Sequence, residues 1–266
     1  ELTGVVDAPE IGPGTPANWD YDPAAMRISS AIALDEDTLI HLNFDVATTD
    51  DDGSESSNLL LHGIPEGFEI VDSSGDPLQL PIPKVDATGP YYQVDSTSLT
   101  TVYLRPTVDF SGRATAMLSQ VITEPDGDSE SFDLEIRMDI EPVVDSDGSN
   151  ADSAGGEDFP VTLMLMPDLS MDVDGSETVT GMVIDSIPAG SVLQLDGEPV
   201  DVSAGIDLET LLDGTSPTLV ELLTSGRITW FPPIDAAGAF ALPVEYEITD
   251  TSGLGDTDVV TLASTV

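Results

Sequence analysis

The sequence contains no cysteine. No disulfide can brace the fold, and neither a thiolate metal site nor a cysteine nucleophile is available. Basic residues are almost as scarce, with six Lys plus Arg against 51 Asp plus Glu and a formal charge of −45. Lys84 is the only lysine. Without a basic patch the electrostatic contribution that nucleic-acid binding relies on is missing, and so is attraction to anionic membranes. No apolar run nears the ~18 residues of a membrane span, so no membrane insertion is expected. The chain opens Glu1-Leu2 with neither an initiator Met nor a signal peptide, which reads as an excerpt of something longer.

Reactive side chains are few as well. The two histidines, His41 and His62, fall within strand-like runs, so structural roles are expected and a nucleophilic triad lacks its parts. Glycoside hydrolysis needs two acids at a fixed separation, but among 51 acids no pair stands out. No catalytic residue is assigned, and the chain reads as a non-enzyme. Aromatic residues make up 5%. Trp230, after "GRITWF", reads as core, and Met164 and Met166 as core filling on one strand. Tyr91-Tyr92 in "ATGPYYQ" is the pair expected to be exposed and able to contact a ligand, a glycan or a peptide.

What is present is an ordinary apolar fraction, 40%, arranged in short alternating runs bounded by Gly, Pro, Asp and Ser. The order of motifs repeats. Ile64-Pro65-x-Gly67 matches Ile187-Pro188-x-Gly190, and Pro106-x-x-Asp109-x-x-Gly112 matches Pro232-x-x-Asp235-x-x-Gly238. Glu36-Asp37 likewise matches Glu157-Asp158, and Gly53 matches Gly175. An all-β fold is predicted: two tandem Ig-like or cadherin-like β-sandwiches, at 10–142 and 143–266, with residues 1–9 the tail of a preceding linker. Strands are expected near 28–34, 39–46, 58–64, 67–71, 99–104, 114–123 and 131–140, and again near 160–166, 178–184, 191–195, 226–231, 240–249 and 257–264. Short helices are expected within 206–226, where Leu208, Leu211 and Leu212 have helical spacing and Ser216-Pro217 resembles a cap and first turn.

An acidic turn occurs in each half, "TDDDGSE" and "SMDVDGSE". In a sandwich of this strand order the turn after the second strand and the turn before the last strand share one end. The first turn brings Asp50, Asp52 and Glu55, or Asp172, Asp174 and Glu177. The second brings Asp126 and Asp128, or Asp250 and Asp256. The segment before each module adds Asp7, or Asp145 and Asp147, while Glu36 and its counterpart Glu157 precede the second strand. Carboxylates so gathered repel one another unless a hard divalent cation with oxygen ligands joins them. An EF-hand is excluded, because with Asp172 and Asp174 at loop positions 3 and 5 the bidentate Glu would have to be Gly181.

With "DEDT", "DDDGSE" or "DVDGSE", "IPEG" or "IPAG", "PTVDFSG" or "PPIDAAG" and the "VVDAP" linker, nearly the whole chain resembles the tandem cadherin-like modules of giant bacterial repeats-in-toxin adhesins, secreted by type I systems. The resemblance implies Ca2+ bound at module junctions by the carboxylates named above. It also implies a monomeric, extracellular rod on the bacterial surface, partnered by neighbouring domains of the same adhesin and serving adhesion or biofilm formation. The alternative is a direct carbohydrate- or peptide-recognition module. Two departures from the family pattern stand out: "GGEDF" in place of "DEDT", and the insert Pro77–Val94, long for a pure spacer.

Overall fold

The computed structural model describes residues 10–13, 18–32, 34–47, 55–94, 99–146, 153–155, 159–202, 205–208, 218–235, 238–251 and 257–265. They fall into two compact units, Glu1–Pro142 and Val143–Thr251 with Thr257–Val266. Nearly all the regular structure is β.

The first unit contains β1 (Glu10–Pro13), β2 (Trp19–Asp22), β3 (Arg27–Ser30), β4 (Leu34–Asp35), β5 (Ile40–His41), β6 (Phe44–Ala47), β7 (Ser56–His62), β8 (Glu69–Val71), β9 (Lys84–Asp86), β10 (Gly89–Val94), β11 (Tyr103–Arg105), β12 (Gly112–Thr123) and β13 (Ser129–Glu141). The large sheet runs β2-β3-β13-β12-β7-β10-β9, with β4 also on β13; a smaller one runs β5-β11-β8, and β1 pairs β6. Alternation explains the packing. Along β13, Leu134, Ile136, Met138 and Ile140 are buried while Glu135, Arg137 and Asp139 face outward, as a pleat with one dry face requires. Ile40 and Leu104 of the smaller sheet join Leu59, Leu118 and Ile136 of the larger in one core, which makes the unit a sandwich.

The second unit holds β14 (Val161–Thr162), β15 (Thr178–Ile184), β16 (Val192–Leu195), β17 (Glu198–Val200), β18 (Ile206–Asp207), α1 (Leu219–Thr224), β19 (Ile228–Phe231), β20 (Pro243–Thr251) and β21 (Thr257–Thr265). Its sheets are β14-β19-β16-β17 and β18-β15-β20-β21. Leu193, Ile228 and Trp230 of one meet Met182, Val244 and Tyr246 of the other in a shared core. The Tyr246 hydroxyl, fully buried, donates to the Leu165 carbonyl at 2.6 Å.

Several expectations change. The run at 99–104 opens with a 3-10 turn, Leu99–Thr101, before β11 begins. Of 160–166 only Val161–Thr162 pairs as a strand; Leu163 and Leu165 are buried, Met166 is half-buried against the core as expected, and Met164 is 47% exposed. Two-residue periodicity identifies the alternation but not which phase faces inward. The insert adds the β9–β10 hairpin to the edge of the large sheet. In the second unit Leu208 is a buried residue directly after β18, while Leu211, Leu212, Ser216 and Pro217 lie outside the described residues. The cap of α1 is Thr218, whose hydroxyl accepts from the Glu221 N–H (3.2 Å) while the Glu221 carboxylate accepts from the Thr218 N–H (2.9 Å).

The matched motifs share backbone conformations. Gly67 and Gly190 both sit at φ +86°, Asp109 and Asp235 at +56° and +58°, and Gly112 and Gly238 at +120° and +119°. The glycines recur because these turns need left-handed conformations that a Cβ disfavours.

Candidate metal centre

Register sets which carboxylates meet. In the second unit Thr178 pairs Thr249, which places Glu177 and Asp250 side by side where β15 begins and β20 nears its end. Glu177 is 6% exposed and Asp250 1%. The incoming segment is laced to the same point: the N–H groups of Asp145 and Ser146 (the latter at 3.2 Å) donate to Glu177 Oε1, and the Val144 N–H donates to Asp258 Oδ2 at 3.1 Å. Asp172 braces the acidic turn, its carboxylate accepting from the N–H groups of Gly175 (2.8 Å) and Glu177 (3.0 Å). Two buried oxygens are left without a hydrogen-bond partner, Glu177 Oε2 and Asp250 Oδ1. Burial pushes the Glu177 carboxyl above its usual value, and the nearby Asp172 and Asp250 add to the rise against the pull of the two N–H donors.

Asp172, Glu177 and Asp250 are therefore brought together, while Asp145 meets them through its backbone N–H. Asp174 and Asp126 instead close their own turns, accepting from the N–H groups of Ser176 (2.8 Å) and Asp128 (3.1 Å); they and Asp128 are exposed. Asp7, Asp50, Asp52, Asp147, Glu157 and Asp256 lie outside the described residues.

The first unit repeats the pairing. Ser56 faces Thr123, so Glu55 and Glu124 flank the same end of β7 and β12 that Glu177 and Asp250 flank on β15 and β20. Glu124, 8% exposed, was missed in favour of Asp126 and Asp128 further along the hairpin. The signal was there: Ile122-Thr123-Glu124 matches Ile248-Thr249-Asp250. Glu36 lies at the opposite pole, buried, where its N–H donates to the Glu141 carbonyl (3.1 Å). Beside it Asp37 Oδ1 accepts from the N–H of Asp109, a buried residue that the repeated Pro-x-x-Asp-x-x-Gly motif already marked. All these ligand candidates are oxygen donors, the set that suits a hard cation such as calcium.

The tyrosine pair behaves differently from expectation. Tyr91 and Tyr92 are half-buried and serve different surroundings. Tyr91 stacks on His62 (4.1 Å) with Lys84 Nζ 4.0 Å from its ring centre, whereas Tyr92 packs against the hydrophobic core. They form no joint exposed platform.

His62 also belongs to a chain of serine, histidine and aspartate in which the order is wrong for nucleophilic catalysis. Ser119 Oγ donates to Asp133 Oδ1 (2.6 Å), so its single hydrogen is taken, and His62 Nε2 at 2.8 Å must be the donor to it. The imidazole cannot act as base toward that hydroxyl. His41 stacks on Tyr103 at 4.2 Å, its Nε2 2.7 Å from the Thr100 carbonyl.

No family model matches the chain, and no curated protein does. Among solved structures, the chain is 13% identical to protocadherin gamma B2 extracellular cadherin domains 3–6 over 97% of its length and 50% of that chain, at a TM-score of 0.31. It is 14% identical to mouse clustered PcdhgC3 EC1–3 over 89% of its length and 63% of that chain, at 0.27. The C-terminal domain of the Streptococcus agalactiae AgI/II polypeptide BspA is 11% identical over 79% of this chain and 84% of that one, at 0.19. At these scores no likeness assigns a family. The chain spans between 30% and 63% of the protocadherin structures it matches.

Proposed function

We propose that this chain is a pair of calcium-stabilised, cadherin-like modules of an extracellular bacterial adhesin, monomeric and non-enzymatic, acting as a rigid extension or scaffold for neighbouring domains in surface adhesion. The supporting observation is the pair of buried, unpartnered oxygens, Glu177 Oε2 and Asp250 Oδ1, in a site with no basic side chain of its own. Buried ionised oxygens without a partner are costly, and a divalent cation reverses that cost. Glu177, Asp250 and Asp172 would hold the ion in the second unit, and Glu55 with Glu124 its counterpart in the first. When bound, calcium supplies the positive charge that the sequence lacks. Binding to the folded state alone stabilises it by about 2.7 kcal/mol at a hundredfold excess over Kd.

The test is thermal unfolding at fixed ionic strength, with calcium titrated against magnesium and a chelator. A saturable rise in Tm specific to calcium is expected. An equal rise with every salt would reduce the acidic turns to charge screening and remove the mechanism.

A further inference from the structure

The insert Pro77–Val94 borders an open cleft against the sandwich of the first unit. Its volume is about 310 Å³, at the lower end of the range of small-ligand sites, and Ile64, Phe68, Ile70, Leu78 and Tyr92 form much of its apolar wall. The insert is tied at two points. The Leu78 N–H donates to the Ile70 carbonyl (3.0 Å), and the Gln93 N–H donates to the Pro81 carbonyl (2.8 Å). Prolines 65, 77 and 90 line the cleft, and their fixed backbone lowers the ordering cost of binding.

The wall offers few donors, the Tyr92 hydroxyl being the side-chain one left uncommitted. Those three prolines carry no N–H, and the N–H groups of Phe68 and Leu78 are bonded to the Pro65 and Ile70 carbonyls. Thr88 directs its hydroxyl hydrogen to Asp86 Oδ1 at 2.7 Å, leaving oxygen lone pairs as what it can offer. Glu69, the charged residue of the lining, has an exposed carboxylate. Between Ile64 and Tyr92 five carboxylates, Glu66, Glu69, Asp72, Asp76 and Asp86, face a single cation, Lys84. Lys84 is paired with Asp86 at 3.7 Å, and the neighbouring Arg105 with Glu69. Hydrogen bonds from the Thr88 hydroxyl and N–H hold the exposed Asp86 down at about 2, so it is ionised at any working pH.

We infer that this cleft is a recognition site for an extended peptide that inserts one apolar side chain and sets a Lys or Arg beside it, at Glu69. An anionic ligand meets repulsion with little beyond the Tyr92 hydroxyl to offset it, whereas a cationic peptide brings both the charge and the N–H groups that the wall lacks. The site is independent of the carboxylates assigned to calcium.

The experiment is fluorescence anisotropy on the full chain, calcium-saturated, with fluorescein-labelled nonapeptides carrying a central Leu, Ile or Phe flanked by Arg or by Glu. Methyl-resolved NMR of Ile64, Ile70 and Leu78 locates the binding. Arg-flanked peptides are expected to bind saturably, at least about tenfold more tightly than Glu-flanked ones, and to shift those methyls. Tyr92→Ala removes the aromatic wall and should abolish binding. Should that variant unfold, Glu69→Lys, at an exposed side chain, should still weaken Arg-flanked binding about tenfold with little change in Tm. Absence of saturable binding, equal affinity for both flanks, shifts confined to other methyls, or neutral oligosaccharides shifting the same methyls while the peptides do not would each overturn the inference.

Discussion

Glu177 has two distinct oxygens. Oε1 holds the entering chain through the N–H groups of Asp145 and Ser146, and Oε2 has no hydrogen-bond partner. Because folding raises its pKa above the usual 4.5, the folded state holds this proton more tightly than the unfolded chain. Without metal, its contribution to stability therefore improves as pH falls from neutrality through the raised value toward 4.5. Glu177→Gln should accordingly raise the Tm of the chelated protein while removing most of the calcium-induced gain in the second unit, which calorimetry with and without chelator would resolve. Glu124→Gln should diminish the gain of the first unit in the same way. His62 has the opposite linkage. Burial pushes its imidazole below the usual 6.5, against the pull of Asp133 and Asp86. The unfolded chain binds that proton more readily, so stability present above 6.5 declines as pH falls below it toward the folded value. His62→Gln should flatten this part of the Tm-versus-pH curve of the first unit at saturating calcium.

Among the elements, the turns separate conformational strain from steric fit. Gly67 and Gly190 share φ +86°, but a Cβ at Gly67 would stand 2.2 Å from Thr107 Oγ1, whereas at Gly190 its nearest neighbour would be Pro233 Cβ at 3.7 Å. Either alanine substitution should cost about 1–3 kcal/mol from the left-handed backbone. Gly67→Ala should cost more than Gly190→Ala, and denaturant melts of the two variants give the order directly. On α1, Thr218→Ala removes half of a capping box and should destabilise the second unit by about 1 kcal/mol. Leu219, Leu222 and Leu223 anchor that helix in the core, so it should fray at its start without detaching.

For the whole molecule, charge is the dominant constraint. All six cations are engaged in ion pairs with five carboxylates: Arg27 with Glu135, Lys84 with Asp86, Arg105 with Glu69, Arg113 and Arg137 with Asp139, and Arg227 with Asp196. Pairs this exposed are screened by solvent and contribute little. They leave most of the −45 formal charge to solvent and bound cations. Lowering the ionic strength in chelator should therefore reduce the Tm of both units, and millimolar calcium should restore more than an equal ionic strength of sodium does.

The alternation of Leu134, Ile136, Met138 and Ile140, the glycines of the paired motifs and the scarcity of cations were legible from residue order, because period-two burial, positive φ and net charge are local or additive properties. The acidic turn before β15 could be found in the same way. Whether a given carboxylate faces inward or closes its own turn could not, since that depends on cross-strand register. Thr178 opposite Thr249 buries Glu177 and Asp250, while Asp174 and Asp126, two or three residues away from them or their equivalents, stay on the surface. Register likewise brought Glu55 and Glu124 together from sequence positions 69 residues apart. Tyr91 and Tyr92, successive residues of β10, take opposite faces, and only the packed structure decides which face lies on the core, as it decides that Leu163 and Leu165 turn inward. The sequence by itself determined an acidic, disulfide-free, repeated β chain. Only the tertiary structure decided which few of its 51 acids lose their water, because desolvation is a property of the packed sheets and not of any segment within them.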